Sequence, residues 1–213
     1  MANIFFNAYT FSLIIAYLLG SIPFGILVTK LFNKGDLRKV GSGNIGATNV
    51  MRVGGLRLAG LVWVLDMAKA MFSVWLCAWI GSAVFGYVDS SNIAIVFGVW
   101  GGFVAIVGHC FPIWLKFHGG KGVSCLFGVL LAVNPILFIT CGIEWLLIAL
   151  GTGYSSAGAV MAFCLMPVLG FFMNFDTGIA FLAIALLCLW QHRGNILRLL
   201  YGKESKIEWK WKK

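Results

Sequence analysis

The chain has 213 residues, of which 61% are hydrophobic and 11% charged, where an ordinary soluble domain carries about 25% charged residues. Mean hydropathy is +0.94 and the formal net charge is +9. A soluble fold of this length has too little interior to hide so much apolar side chain, so the composition predicts an integral membrane protein.

Apolar segments fall at 4–28, 58–80, 92–110, 123–137, 138–152, 158–173 and 178–191. All read as helices, because the alternating ten-residue strands of a membrane barrel are missing from the pattern. The first run, "FSLIIAYLLG", has no Lys or Arg before it and no small-x-small cleavage pattern, so it reads as an uncleaved span. As one helix, 123–151 would be roughly 43 Å long at ~1.5 Å per residue, beyond a ~30 Å hydrocarbon core. Asn134-Pro135 is a natural break there, and "NFDTG" breaks 158–191 in the same way. The resulting half-length spans are expected to tilt or to shelter among neighbours.

Charge decides between six spans and seven. Basic residues gather in 29–57 (Lys30, Lys34, Arg38, Lys39, Arg52, Arg57), in 111–122 (Lys116, Lys121) and from Arg193 to Lys213. The connections near 81–91, 134–138 and 174–177 have none, and carry Asp89 and Asp176 instead. Seven spans put every basic segment on one side, which the positive-inside rule makes cytoplasmic. The expectation is an all-α, seven-helix, single polytopic membrane domain over 1–213. Its N-terminus is periplasmic and its C-terminus cytoplasmic. The end, "KESKIEWKWKK", mixes Lys with two Trp and is expected along the anionic inner-leaflet surface, in contact with membrane lipids.

Four polar islands interrupt the oily chain. The first, "GSGNIGATNVMR" (41–52), matches G-x-G-x-x-G, but a membrane span precedes it and no βαβ unit surrounds it, so a dinucleotide fold is rejected. Its glycines still let backbone amides turn toward an anion. Ser42, Asn44, Thr48 and Asn49 add neutral hydrogen-bonding groups, and Arg52 a fork suited to phosphate. The bland alternative is a flexible loop.

The second island, "GHCFPIWLKFHGGKG" (108–122), fails the Walker pattern because Gly122 follows Lys121. Gly119, Gly120 and Gly122 around Lys121 at a helix start predict a second anion site. His109 reads equally as a structural hydrogen bonder or a proton carrier. In the third, "TGYSSAG" (152–158), one of Ser155 and Ser156 is expected to cap the next helix, leaving the other for a ligand. In the fourth, "QHRGNILRLLYGKES" (191–205), His192, Asn195 and Arg198 fall on one helical face. Within a span, Asp66 and Lys69 at i, i+3 are expected to pair or to face a polar pocket. The six cysteines form no CxxC pair and read as small hydrophobes.

These features converge on a cytoplasm-facing pocket with several phosphate-sized basic sites. No metal-ligand cluster stands out. The H-x-x-x-x-D pattern of many glycerolipid acyltransferases is absent, since Trp114, Val123 and Leu197 follow the three histidines at that spacing.

Taken together and in this order, "GSGNIGATNVMR", "GHCFPIWLKFHGGKGV" and "HRGNILRLLYGKE" resemble the bacterial acyl-phosphate:glycerol-3-phosphate acyltransferase (PlsY) family along the full chain. The resemblance implies a seven-helix inner-membrane enzyme with its site on the cytoplasmic side. It would transfer a fatty acyl group from acyl-phosphate to the 1-hydroxyl of glycerol 3-phosphate, releasing lysophosphatidic acid and inorganic phosphate. It implies functional coupling to a soluble acyl-phosphate-forming enzyme (PlsX), and neither cofactor, metal nor nucleic acid. Carried over by motif, the catalytic set is Ser42, Asn44, Arg52, Lys121, Ser156, His192 and Asn195, with Glu204 a weaker candidate. The phosphate-binding set is Gly41, Gly43, Arg52, Gly119, Gly120, Lys121 and Gly122. Ser124-Cys125 stands where the family often reads Ala-Thr, and Gly153 where some members have Arg. The hydroxyl proton has two candidate acceptors, His192 and the phosphate of the substrate itself. An organic-phosphate transporter is the alternative, weakened because the polar groups gather on one side and not at the midplane.

Overall fold

The computed structural model describes residues 2–85 and 90–207; Asp89, Trp209 and Trp211 lie outside them. Among the described residues every regular element is helical. The first apolar segment is broken in two, α1 (Ala2–Gly20) and α2 (Phe24–Leu31), because Pro23 cannot continue the hydrogen-bond ladder. α3 (Ala47–Phe85) is 39 residues long and starts inside the first polar island, well before the expected 58. It kinks at Gly55 (φ 79°, ψ 178°), a conformation that suits glycine alone, so Asn49 and Arg52 sit on a short helical segment ahead of the long span.

α4 (Ser90–Cys110) leads through the second island into α5 (Val123–Val133), α6 (Pro135–Thr152), α7 (Ser155–Met173), α8 (Phe175–Gln191) and α9 (Arg193–Leu200). Both expected breaks occur, but α6, α7 and α8 are not half-length: they have 18, 19 and 17 residues. The reason is capping. Asn134 Oδ1 accepts from the amide of Ile136, and Asn174 Oδ1 from that of Thr177, both at 2.8 Å. Pro135 is tolerated at the first helical position, so each asparagine ends one helix and starts the next with no loop between.

The short element is α5, whose 11 residues reach only roughly 16 Å. The seven expected spans therefore resolve into five of membrane-crossing length (7–31, 47–83, 92–115, 135–152, 155–173), the α8–α9 pair bent by 62°, and α5. Every residue of α5 from Ser124 to Leu130 is buried. It packs against α3, α4 and α6. Small residues allow that approach: a Cβ on Gly128 would come within 2.2 Å of the Met67 carbonyl oxygen. α5 is thus a central post, and its first turn follows the second glycine island. Cys77, Cys110, Cys125, Cys141 and Cys188 are buried and unpaired, and act as small core residues.

Candidate active site

A cavity of about 1050 Å³ opens at the end of the bundle where the four polar islands meet. Its mouth is lined by Ser42, Asn44, Arg52, Lys121, Ser156, His192, Asn195 and Arg198. All seven predicted catalytic residues therefore share one space. An apolar arm runs inward between α3 and α6 over α5, lined by Gly60, Trp63, Phe127, Phe138, Trp145 and Leu146.

The first island is organised by one side chain. Asn49 is buried, and its amide donates to the carbonyls of Leu37 (3.0 Å), Val40 (3.0 Å) and Asn44 (2.8 Å). Its Oδ1 accepts from the Ser42 amide at 3.2 Å. Asn49, one of the four neutral hydrogen-bonding groups of this island, uses its side chain to fix the loop. That frees Ser42 and Asn44 to face the cavity, and Asn44 Oδ1 has no hydrogen-bond partner among the described residues.

The second island is hung from the end of α4. The Gly119 amide donates to the Cys110 carbonyl (3.0 Å) and the Gly120 amide to that of His109 (2.9 Å). These amides, and that of Gly43 on Val40 O, are therefore not free for an anion. Of the glycines expected to bind phosphate, Gly41 lines the cavity. Gly43 does not line it and is exposed, at a left-handed φ of 69°; Gly119, Gly120 and Gly122 lie behind its wall, where close packing demands the missing side chain. The cationic groups facing the cavity remain: Arg52, Lys121, Arg198 and Lys203.

The third and fourth islands are joined by a strap that sequence reasoning missed. Residues 203–207 were expected on the membrane surface, but fold across the mouth. Glu204 Oε1 accepts from Ser156 Oγ (3.0 Å) and Asn195 Nδ2 (2.7 Å), and Oε2 from Arg198 Nε (2.7 Å). Ser156 thus does not cap α7, whose first residues have no side-chain cap. The Ile207 amide donates to Gly153 O (2.8 Å), and Arg52 Nη2 to Ser205 Oγ (3.0 Å). Lys121 Nζ donates to Asn195 Oδ1, linking the second island to the same network. Burial pushes the Glu204 carboxyl up, but its hydrogen bonds from Asn195, Arg198 and Ser156 hold it below the usual range overall. Lys121 is lowered, by burial first and then by Arg198 and Arg52, against the opposing pull of Glu204. The one advance sign of the strap was Glu204 itself, an acid among lysines.

His192 sits at the bend between α8 and α9, its ring packed on Phe163 at 5.1 Å between centroids. Its Nδ1 is 2.8 Å from the Cys188 carbonyl. A carbonyl only accepts, so Nδ1 carries the proton and Nε2 keeps its lone pair. Below the mouth, Asp66, His109 and Cys125 place donor atoms within 4.8 Å of one another. The Lys69 ammonium lies 2.8 Å from Asp66 Oδ1 and 3.1 Å from His109 Nδ1, and already supplies the positive charge a metal would bring.

A family model described as glycerol-3-phosphate acyltransferase matches residues 10–202. A glycerol-3-phosphate acyltransferase of Rhizobium etli (strain CFN 42) is 43% identical over 195 residues, covering 91% of this chain and 89% of the relative. One of Jannaschia sp. (strain CCS1) is 44% identical over 196 residues, covering 91% and 90%. Among solved structures, the glycerol 3-phosphate form of PlsY (YgiH), an integral membrane glycerol 3-phosphate acyltransferase, superposes with a TM-score of 0.81 at 34% identity, covering 94% of this chain and 96% of that one. Its lysophosphatidic acid form gives 0.78 at 34% identity, covering 93% and 94%.

Proposed function

The chain belongs to the glycerol-3-phosphate acyltransferase family, and we propose that its acyl donor is an acyl-phosphate. The observation that supports this donor is a single cavity with a cationic mouth and an apolar arm. Arg52, Lys121 and Arg198 offer charge for the two phosphate groups, and the aromatic arm offers a path for the acyl chain. Family membership sets the transporter alternative aside.

An acyl-phosphate is an activated mixed anhydride, so positioning and electrostatics supply most of the acceleration. The 1-hydroxyl oxygen of glycerol 3-phosphate attacks the acyl carbon directly. The bond from that carbon to the phosphate oxygen breaks, and inorganic phosphate leaves. Arg52 and Lys121 hold phosphate and the developing negative charge; Ser42, Asn44, Ser156 and Asn195 orient the acceptor. Gly41 contributes backbone beside Ser42. The hydroxyl proton goes to His192 Nε2, the lone pair its contact with Cys188 leaves open. A His192→Gln variant with near-wild-type turnover would instead assign the proton to the substrate's phosphate.

The whole chain acts as one polytopic domain of the bacterial inner membrane. Its basic loops and the cavity face the cytoplasm, its N-terminus faces the periplasm, and α5 supplies the seventh, incomplete crossing. A soluble acyl-phosphate-forming enzyme (PlsX) supplies the donor. The test is phosphate release from purified protein in lipid, given palmitoyl-phosphate with and without glycerol 3-phosphate. Release that requires glycerol 3-phosphate, with lysophosphatidic acid formed in equal amount, is expected. Release without acceptor, or a stable acyl-protein, would overturn direct transfer.

A further inference from the structure

The second glycine island presents a difficulty: its Gly119 and Gly120 amides are already bonded to α4 carbonyls, yet the island borders the cavity. A different donor stands on that wall. His109 is 5% exposed and lines the cavity. Its Nδ1 lies 3.1 Å from Lys69 Nζ. An ammonium has three donors and no lone pair. Lys69 Nζ donates to the Ile22 carbonyl at the α1–α2 break (2.8 Å), forms an ion pair with Asp66 Oδ1 (2.8 Å) and lies against His109 Nδ1, which is 3.6 Å from that carboxylate oxygen and so beyond hydrogen-bond reach of it. Nδ1 must therefore accept, and the imidazole proton sits on Nε2.

Gly120 packs its bare backbone against that Nε2, and the ring keeps its small exposure to the cavity beside it. A Cβ there would fall 2.0 Å from Nε2, and 2.7 and 2.8 Å from the ring carbons on either side, so glycine alone fits against the ring. We propose that His109 is a substrate-binding residue whose Nε2–H donates to a phosphate oxygen held by Lys121, and that Asp66 and Lys69 are positioning residues that fix its tautomer. The proposal rests on the acyltransferase reading for the identity of the phosphate. It makes the cavity's two histidines opposites. His109 is a donor through Nε2, because an ammonium faces its Nδ1; His192 is an acceptor through Nε2, because a carbonyl faces its Nδ1.

The chain has three histidines, so ¹⁵N-histidine labelling of the full protein in lipid nanodiscs resolves the question directly. Loss of one signal set in His109→Gln and another in His192→Gln assigns the two rings. The expected result is an Nε2–H tautomer at His109 and an Nδ1–H tautomer at His192, with His109 Nε2 shifting on titration with inorganic phosphate. An Nδ1–H or doubly protonated His109 ring, or no response to phosphate, would overturn the proposal even if acyl transfer is confirmed. Kinetics give a second arm. His109→Phe, which keeps the ring shape without a donor, should raise KM for one phosphate substrate at least tenfold. His109→Gln, which restores an N–H near the Nε2 position, should bring that KM back to within about threefold. The substrate whose KM moves, glycerol 3-phosphate or acyl-phosphate, identifies the phosphate concerned. Equal KM values in His109→Phe and wild type would show that the contact is not made.

Discussion

The two glycine islands look alike in sequence and are built in opposite ways. The first, 41–52, is held from inside by Asn49, which bonds three carbonyls and one amide of its own loop. The second, 119–122, is held from outside by the last carbonyls of α4, with His109 against Gly120. In the first island glycine permits a turn: Gly41, at φ 59°, has Asn49 Oδ1 where a side chain would go. In the second, glycine permits an approach. Glycine-rich sequence therefore did not mean free amides. Chemistry at the mouth is carried by the side chains that these two scaffolds aim.

The largest effect should follow from removing the first scaffold. Asn49→Ala removes the partner of one buried carbonyl (Leu37), two partly buried ones (Val40, Asn44) and the Ser42 amide, and the buried one alone costs about 1–3 kcal/mol when left unpaired. Activity should fall at least 100-fold, with a lower melting temperature in detergent. An Asn49→Ala enzyme within tenfold of wild type would mean that the loop is held by something other than this side chain. Gly120→Ala probes the second scaffold. Its Cβ cannot coexist with His109 as placed, so activity should drop about 10- to 100-fold. The sharper reading is non-additivity: in a His109→Ala background the same change should cost less than threefold, because its collision partner is gone. Additive losses would show that Gly120 is constrained by something else.

The contrast also marks what was legible in the sequence. Hydrophobic runs located the helices, because burial in lipid demands long apolar segments. The breaks at Asn134 and Asn174 were visible as polar residues, but their effect as caps was not, so α6 to α8 came out longer than expected. The start of α3 at Ala47 was hidden because its first turns are polar and serve the site. Residue types named the catalytic set, and the structure brings Ser42, Asn44, Arg52, Lys121, Ser156, His192 and Asn195 to one cavity. Partnership was not legible. Asn49 read as a neutral hydrogen-bonding group, and only the fold shows that its partners are its own loop. Glu204 sits nine residues beyond Asn195 and 48 beyond Ser156, and only folding shows that one carboxylate joins them.

A smaller effect separates the two cations. Lys121 is partly buried beside Arg198 and Arg52 and loses its proton at lower pH than a free lysine. The rate should therefore fall on the alkaline side before the ordinary lysine range near 10.4 is reached. Arg198→Gln removes one like charge and should move that limb to higher pH; a limb that stays in place would assign it to another group.

The smallest effect concerns the strap. Arg52 touches it through one exposed hydrogen bond to Ser205, whereas Lys121 reaches it through Asn195 and the largely buried Glu204. An exposed neutral partner contributes at the low end, about 0.5 kcal/mol, or roughly two- to threefold in rate. Ser205→Ala should change kcat/KM by no more than that. A tenfold loss would show that the strap orients Arg52 as firmly as it does Lys121, and the two islands would then differ in how their loops are built but not in how their cations are aimed.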